Sequence, residues 1–119
     1  AHGSTPYMQW PFKEWGASAV LSGHDHVYER INQNGLTFFV NGAGGAPLYK
    51  FGAPVAGSQV RYSAEHGAMR VTASQETLTL QFYSTDGTTA RLIDSCLLSR
   101  ASAAGATSTT TTISMKPAG

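Results

Sequence analysis

Leu78, Leu80 and Phe82 alternate with threonine and glutamine along residues 77–83, which predicts a strand with one apolar and one wetted face. Runs rich in β-branched, aromatic and small apolar residues predict further strands at residues 17–21, 27–31, 36–40, 67–73 and 90–98. Turn chemistry separates them: Asn32-Gln33-Asn34-Gly35 ends in an Asn-Gly hairpin signal, and Asp86-Gly87 turns the chain before its last strand. Residues 7–15 follow a different period. Met8, Phe12 and Trp15 recur at helical spacing, with Pro11 suited to a first turn and Gly16 to a stop, so a short amphipathic helix is expected there. Pro47, Gly52, Pro54 and Gly57 break residues 46–63, which are expected to be irregular. Brief turns favour pairing between neighbouring strands, so the expected architecture is α+β: a short helix, then a mostly antiparallel sheet of about five strands. From residue 99 onward alanine, serine and threonine replace the apolar pattern, and residues 99–119 read as a disordered tail or a linker.

Composition narrows the function classes. The chain has 119 residues, one domain's worth or less, with 8 basic against 7 acidic side chains and a net charge of +1. Neither a polyanion-binding surface nor an acidic tail follows from that balance, so nucleic acid is not an implied partner. The single cysteine, Cys96, has no intrachain partner and lies in an apolar run, which suits a buried thiol. No stretch is long and apolar enough to span a bilayer as a helix.

The candidate chemistry lies where the strand at 17–21 runs into Gly23-His24-Asp25-His26. If the chain stays extended, His24 and His26 point to the same side and Asp25 to the other, because side chains on a strand repeat every two residues. Two imidazoles on one side of a strand end are candidate metal ligands. A His-X-His pair alone is equally two surface histidines with hydrogen-bond partners. Asp25 is then a residue that orients the loop. Tyr28, Glu29 and Arg30 are read as structural, with Glu29 and Arg30 pairing elsewhere in the fold, and His66 as an ordinary turn histidine.

Three stretches taken together carry a resemblance: Trp10-Pro11-Phe12-Lys13-Glu14-Trp15-Gly16-Ala17, then Val20 through Arg30, then Phe39-Val40-Asn41-Gly42-Ala43-Gly44-Gly45. The chain over residues 1–98 resembles the carboxy-terminal portion of a calcineurin-like metallophosphoesterase domain, most similar to the purple-acid-phosphatase-type branch. The resemblance implies the β-rich half of an αββα sandwich. It also implies a binuclear centre of zinc, iron or manganese with His24 and His26 as ligands, and His2 as the acid that protonates a leaving group. The expected activity is metal-assisted hydrolysis of a phosphate mono- or diester, in a secreted or periplasmic protein. The family's amino-terminal DxH, GDxxD and GNH[DE] motifs, which supply the carboxylates, do not occur here, and the aspartates are Asp25, Asp86 and Asp94 alone. The chain is therefore expected to hold part of a site, weak or inactive alone, with a missing amino-terminal half or self-association as its partner. The alternative is a non-catalytic β-rich metal-binding or interaction module derived from that fold. A cupin-like reading of His24, His26, Glu29 and Gly35 fails because the glutamate is too close to the pair and no second histidine motif follows.

Overall fold

The computed structural model describes residues 5–100. His2 and residues 101–119 of the expected tail lie outside them. Among the described residues there are seven strands: β1 Ala19–Ser22, β2 Tyr28–Gln33, β3 Leu36–Asn41, β4 Ser58–Tyr62, β5 Gly67–Ala73, β6 Thr77–Thr85 and β7 Ala90–Ser99. They form two sheets rather than one, a four-stranded sheet in the order β1-β3-β2-β4 and a three-stranded sheet in the order β5-β6-β7. Every pairing is antiparallel except β1 with β3. The protein is thus β-rich and mostly antiparallel, as the alternation predicts.

The expected helix is reduced to a three-residue 3₁₀ turn, Pro6–Met8, followed by a single turn around residues 12–16. Proline explains the break. Pro11 donates no backbone hydrogen bond and holds Trp10 out of the helical region, so no helix runs through both halves of the segment. The second turn closes with Ala17 N–H on the Phe12 carbonyl and Gly16 N–H on that of Lys13, and Gly16 takes a φ of 81°, the usual glycine stop. Phe12 packs edge-on against Phe38 of β3 at 6.4 Å, and Lys13 donates to the Asn34 carbonyl, so this segment rests on the outer face of the four-stranded sheet. The cover is incomplete: Tyr7 is 77 % exposed and Trp15 65 %.

Strand β4 lies inside the stretch expected to be irregular. It forms because β2 offers a partner, which local sequence does not record; Gly57 ends the loop at a φ of 85°, where an added Cβ would sit 2.0 Å from the Asn32 carbonyl oxygen. A bulge places Gln59 between the pairs Arg30–Val60 and Ile31–Ser58, and its side chain accepts a hydrogen bond from Arg30 Nη1 at 2.7 Å.

The two sheets meet through the inward faces of β2, β3, β6 and β7, where Tyr28, Phe39, Leu80, Phe82 and Cys96 are fully buried. Tyr28 stacks on Phe82 across the sheets, ring centroids 4.1 Å apart and 11° from parallel. Among these apolar groups lies an ion pair. Arg30 donates through Nε to Asp94 Oδ2 at 2.7 Å and through Nη2 to Oδ1 at 3.2 Å, and the Tyr28 hydroxyl donates to Oδ2 at 2.7 Å. Glu29, on the opposite face, accepts from Ser58 at 2.6 Å and lies 3.5 Å from Arg61. Both residues therefore pair elsewhere in the fold, as expected.

Burial, the Asp94 charge and the Asp94 hydrogen bond together push the Tyr28 phenol well above its ordinary range, and burial raises the Cys96 thiol. A group whose folded value is raised favours folding fully below its unfolded value and loses that contribution as the pH rises through it. Stability should therefore fall once the pH passes the ordinary thiol value of about 8.5 and the phenol value of about 10. Each proton retained only by the fold costs up to about 1.4 kcal/mol per pH unit. Urea midpoints between about pH 8 and about pH 11 measure this, and a flat profile would contradict the linkage.

Candidate functional site

The position of the histidines follows from the strand order. β1 and β2 lie on either side of β3, so the chain leaving Ser22 must cross the carboxyl end of β3 before it can begin β2 at Tyr28. Residues 23–27 make that crossing as a bend, not as strand. The extended geometry expected for Gly23 through Val27 is thus corrected: two tight turns, Asp25 N–H to the Gly23 carbonyl and Val27 N–H to that of Asp25, replace it. Alternation no longer sets the direction of His24, Asp25 and His26. The physical reason is the distance to be spanned, two inter-strand spacings over the top of a third strand.

The Asn41-Gly42-Ala43-Gly44-Gly45 turn packs directly against the bend. Gly42 N–H donates to the Val27 carbonyl at 3.0 Å, and a Cβ on Gly42 would fall 2.0 Å from the Asp25 carbonyl oxygen. Only glycine leaves room for the crossing. Gly42→Ala should shift the bend or destabilise the fold by at least about 1–3 kcal/mol, the range of a locally strained backbone. Thermal unfolding alongside amide chemical shifts of His24 and His26 checks this, and an unchanged spectrum at unchanged stability would rule out the close approach.

His24 is exposed and adopts a φ of 76°, in the left-handed region. Histidine enters that region more often than most residues, but it is still strained there. His26 is partly buried, and its surroundings come from one loop. Its Nδ1 lies 2.9 Å from the Pro47 carbonyl oxygen, its own carbonyl accepts from Tyr49 N–H at 3.0 Å, and its ring stacks on that of Tyr49 with centroids 4.4 Å apart. A carbonyl oxygen has no proton to give, so Nδ1 is the donor and the neutral ring keeps its lone pair on Nε2. His66, just before β5, is the reverse case: its Nε2 donates to the Ala46 carbonyl at 2.9 Å. The residues that hold His26, Pro47 and Tyr49, escaped sequence reasoning. A backbone carbonyl leaves no mark in the sequence, and Tyr49 looks like any loop aromatic.

His26 has the hydrogen-bond arrangement of a metal ligand. An imidazole that donates one N–H to a backbone carbonyl and keeps the other nitrogen unprotonated is arranged as metal-ligating histidines are. Among the described residues no group of three or more His, Cys, Asp or Glu is placed to hold a metal ion. Two of the three aspartates are engaged elsewhere. Both Asp94 oxygens serve Arg30 and Tyr28, and Asp86 Oδ1 accepts from Thr88 and Thr89 N–H at 2.8 Å in the hairpin turn. Those two backbone N–H groups, Thr89 foremost, hold the Asp86 carboxyl below its ordinary range, and the Arg91 hydrogen bond does the same for Glu65. Glu65 and Asp86 line a hollow of about 500 Å³ beside His66 and Leu48.

Comparison of the chain with protein-family models, with curated proteins and with solved structures returns no match, so the functional reading rests on the chain's own residues.

Proposed function

We propose that this chain is the carboxy-terminal part of a metal-dependent phosphoesterase, contributing His24 and His26 to a binuclear centre whose carboxylates come from outside the chain. The observation that carries the reading is His26, fixed by Pro47 as a donor at Nδ1 and a lone pair at Nε2, on a bend that also holds His24 in a strained conformation. Strain of this kind collects where a side chain must be presented in one direction. Zinc, iron or manganese, when bound, would supply charge stabilisation at the phosphoryl group and activation of water. The chain's own part is to hold two imidazoles at the end of a sheet, on a bend whose Asp25 carbonyl packs against Gly42. His2, outside the described residues, is proposed as the acid for the leaving group. The β-rich half of an αββα sandwich remains the proposed parent fold, and a secreted or periplasmic location goes with it. The exposed Tyr7, Trp10, Trp15 and Leu21 would be covered by the missing half or by a second copy.

Zinc titration tests this reading. Two imidazoles provide half of the four ligands usual at a structural zinc site, so binding should be weak but measurable by calorimetry, and lost in the His24→Ala/His26→Ala variant. Equal binding by the variant would move the site elsewhere. A folded chain with no zinc response would favour the second reading, a non-catalytic β-rich interaction module, which the self-contained two-sheet core also suits.

A further inference from the structure

We propose that Tyr49 is a positioning residue for His26: the loop at residues 47–49 selects one tautomer of that imidazole and fixes its plane, leaving the Nε2 lone pair available to a ligand. Its consequence for metal binding rests on the function proposed above, whereas the positioning itself rests on geometry alone.

Three contacts from one short segment act on one residue. The Pro47 carbonyl accepts from Nδ1 at 2.9 Å and so decides which nitrogen carries the proton. The Tyr49 N–H, on the His26 carbonyl at 3.0 Å, ties the loop to the main chain of the bend. The Tyr49 ring lies 4.4 Å from the imidazole and 28° from parallel, which restrains a side-chain torsion that is otherwise broad and nearly two-fold. Without the stack, the ring can turn away from the Pro47 carbonyl, and the choice of tautomer goes with it.

Tyr49 is 40 % exposed and lies outside the buried cluster at the sheet interface. Large aromatic area held at the surface against a partly buried histidine suits a residue kept for what it does to that histidine. His66 supplies the internal contrast. It meets the neighbouring carbonyl, Ala46, through Nε2 at 2.9 Å, so adjacent carbonyls of one loop fix two histidines in opposite tautomers. His26 is the one left with Nε2 unprotonated.

Long-range proton–nitrogen correlation of the imidazoles in the full chain tests this, about two pH units above the ordinary histidine value of about 6.5, followed by zinc titration read on the same signals. In the unaltered chain His26 should show the Nδ1–H form and His66 the Nε2–H form. Tyr49→Ala should turn His26 into a tautomer mixture and weaken zinc about 10–100-fold, the usual effect of losing a group that orients a ligand. Tyr49→Phe keeps the ring and the main-chain N–H and should match the unaltered chain. Should Tyr49→Ala also disturb His66, Tyr49→Leu makes the same comparison with the apolar cover retained. A tautomer mixture in the unaltered chain, or a His26 signal indifferent to Tyr49→Ala and Tyr49→Leu, overturns the proposal even if zinc binds at His26. Loss of the Nδ1–H form with no zinc response in any variant upholds the positioning and removes the metal reading instead.

Discussion

Replacing Asp94 by alanine should lower stability by about 3–5 kcal/mol, the loss seen when one partner of a buried ion pair is removed and the other stays behind. Arg30 and Asp94 are 1 % and 0 % exposed, so the guanidinium would be left in a dry interface without its counter-charge. Burial by itself lowers the Arg30 value, and the Asp94 hydrogen bond and charge more than reverse that. The Tyr28 hydroxyl would lose its acceptor in the same step, adding a buried donor without a partner. Domains of this size are stable by only about 5–15 kcal/mol, so the variant should unfold at a much lower urea concentration or not fold at all. Replacing the whole cluster tells pairing from burial. Tyr28→Phe with Arg30→Met and Asp94→Leu removes the Tyr28 hydroxyl and both charges together, leaving the exposed Gln59 to water, and should recover most of the loss because no charge is stranded. A loss under about 1 kcal/mol in Asp94→Ala would place the pair in water rather than in the core.

The chain alone should hydrolyse phosphate esters little or not at all. Two metal ions brought close together need carboxylates to offset their repulsion and to acidify the attacking water. Asp94 is held at the sheet interface and Asp86 in a turn, which leaves Asp25 as the aspartate on the histidine bend. Losing these ligands weakens metal affinity, nucleophile formation and transition-state charge stabilisation together. The effect should exceed the roughly 10²–10⁴-fold attached to a single acid–base group. Chromogenic phosphate mono- and diesters with zinc, manganese or iron are the assay, run beside the His24→Ala/His26→Ala variant. Metal-dependent turnover that vanishes in the variant would show that dimerisation or Asp25 completes the centre. Turnover shared by both would place the activity away from the pair.

Strands were legible in this sequence wherever both of their faces were written in it. Along β6 the apolar side is Leu78, Leu80 and Phe82, and period-two alternation alone places it; β3 and its Asn34-Gly35 turn follow from β-branched and aromatic composition and from the two left-handed residues the turn requires, with φ of 52° and 79°. The histidine pair stands out as a candidate on the same local footing, two imidazoles directly after an apolar run. Local sequence decides these things because they depend on neighbours a few residues away.

Tertiary structure decided the rest. β4 is a strand because β2 supplies its hydrogen bonds, against the glycines and prolines that precede it. The seven strands divide into two sheets because Tyr28 and Arg30 of one must meet Phe82 and Asp94 of the other, partners more than fifty residues away. The histidine segment is a bend because β3 inserts between β1 and β2, a matter of strand order that the residues at 23–27 do not encode. The tautomer of His26 comes from the Pro47 carbonyl, an atom every residue possesses. The residue types at the site were set by sequence, and their direction and protonation by contacts that exist only once distant strands have paired.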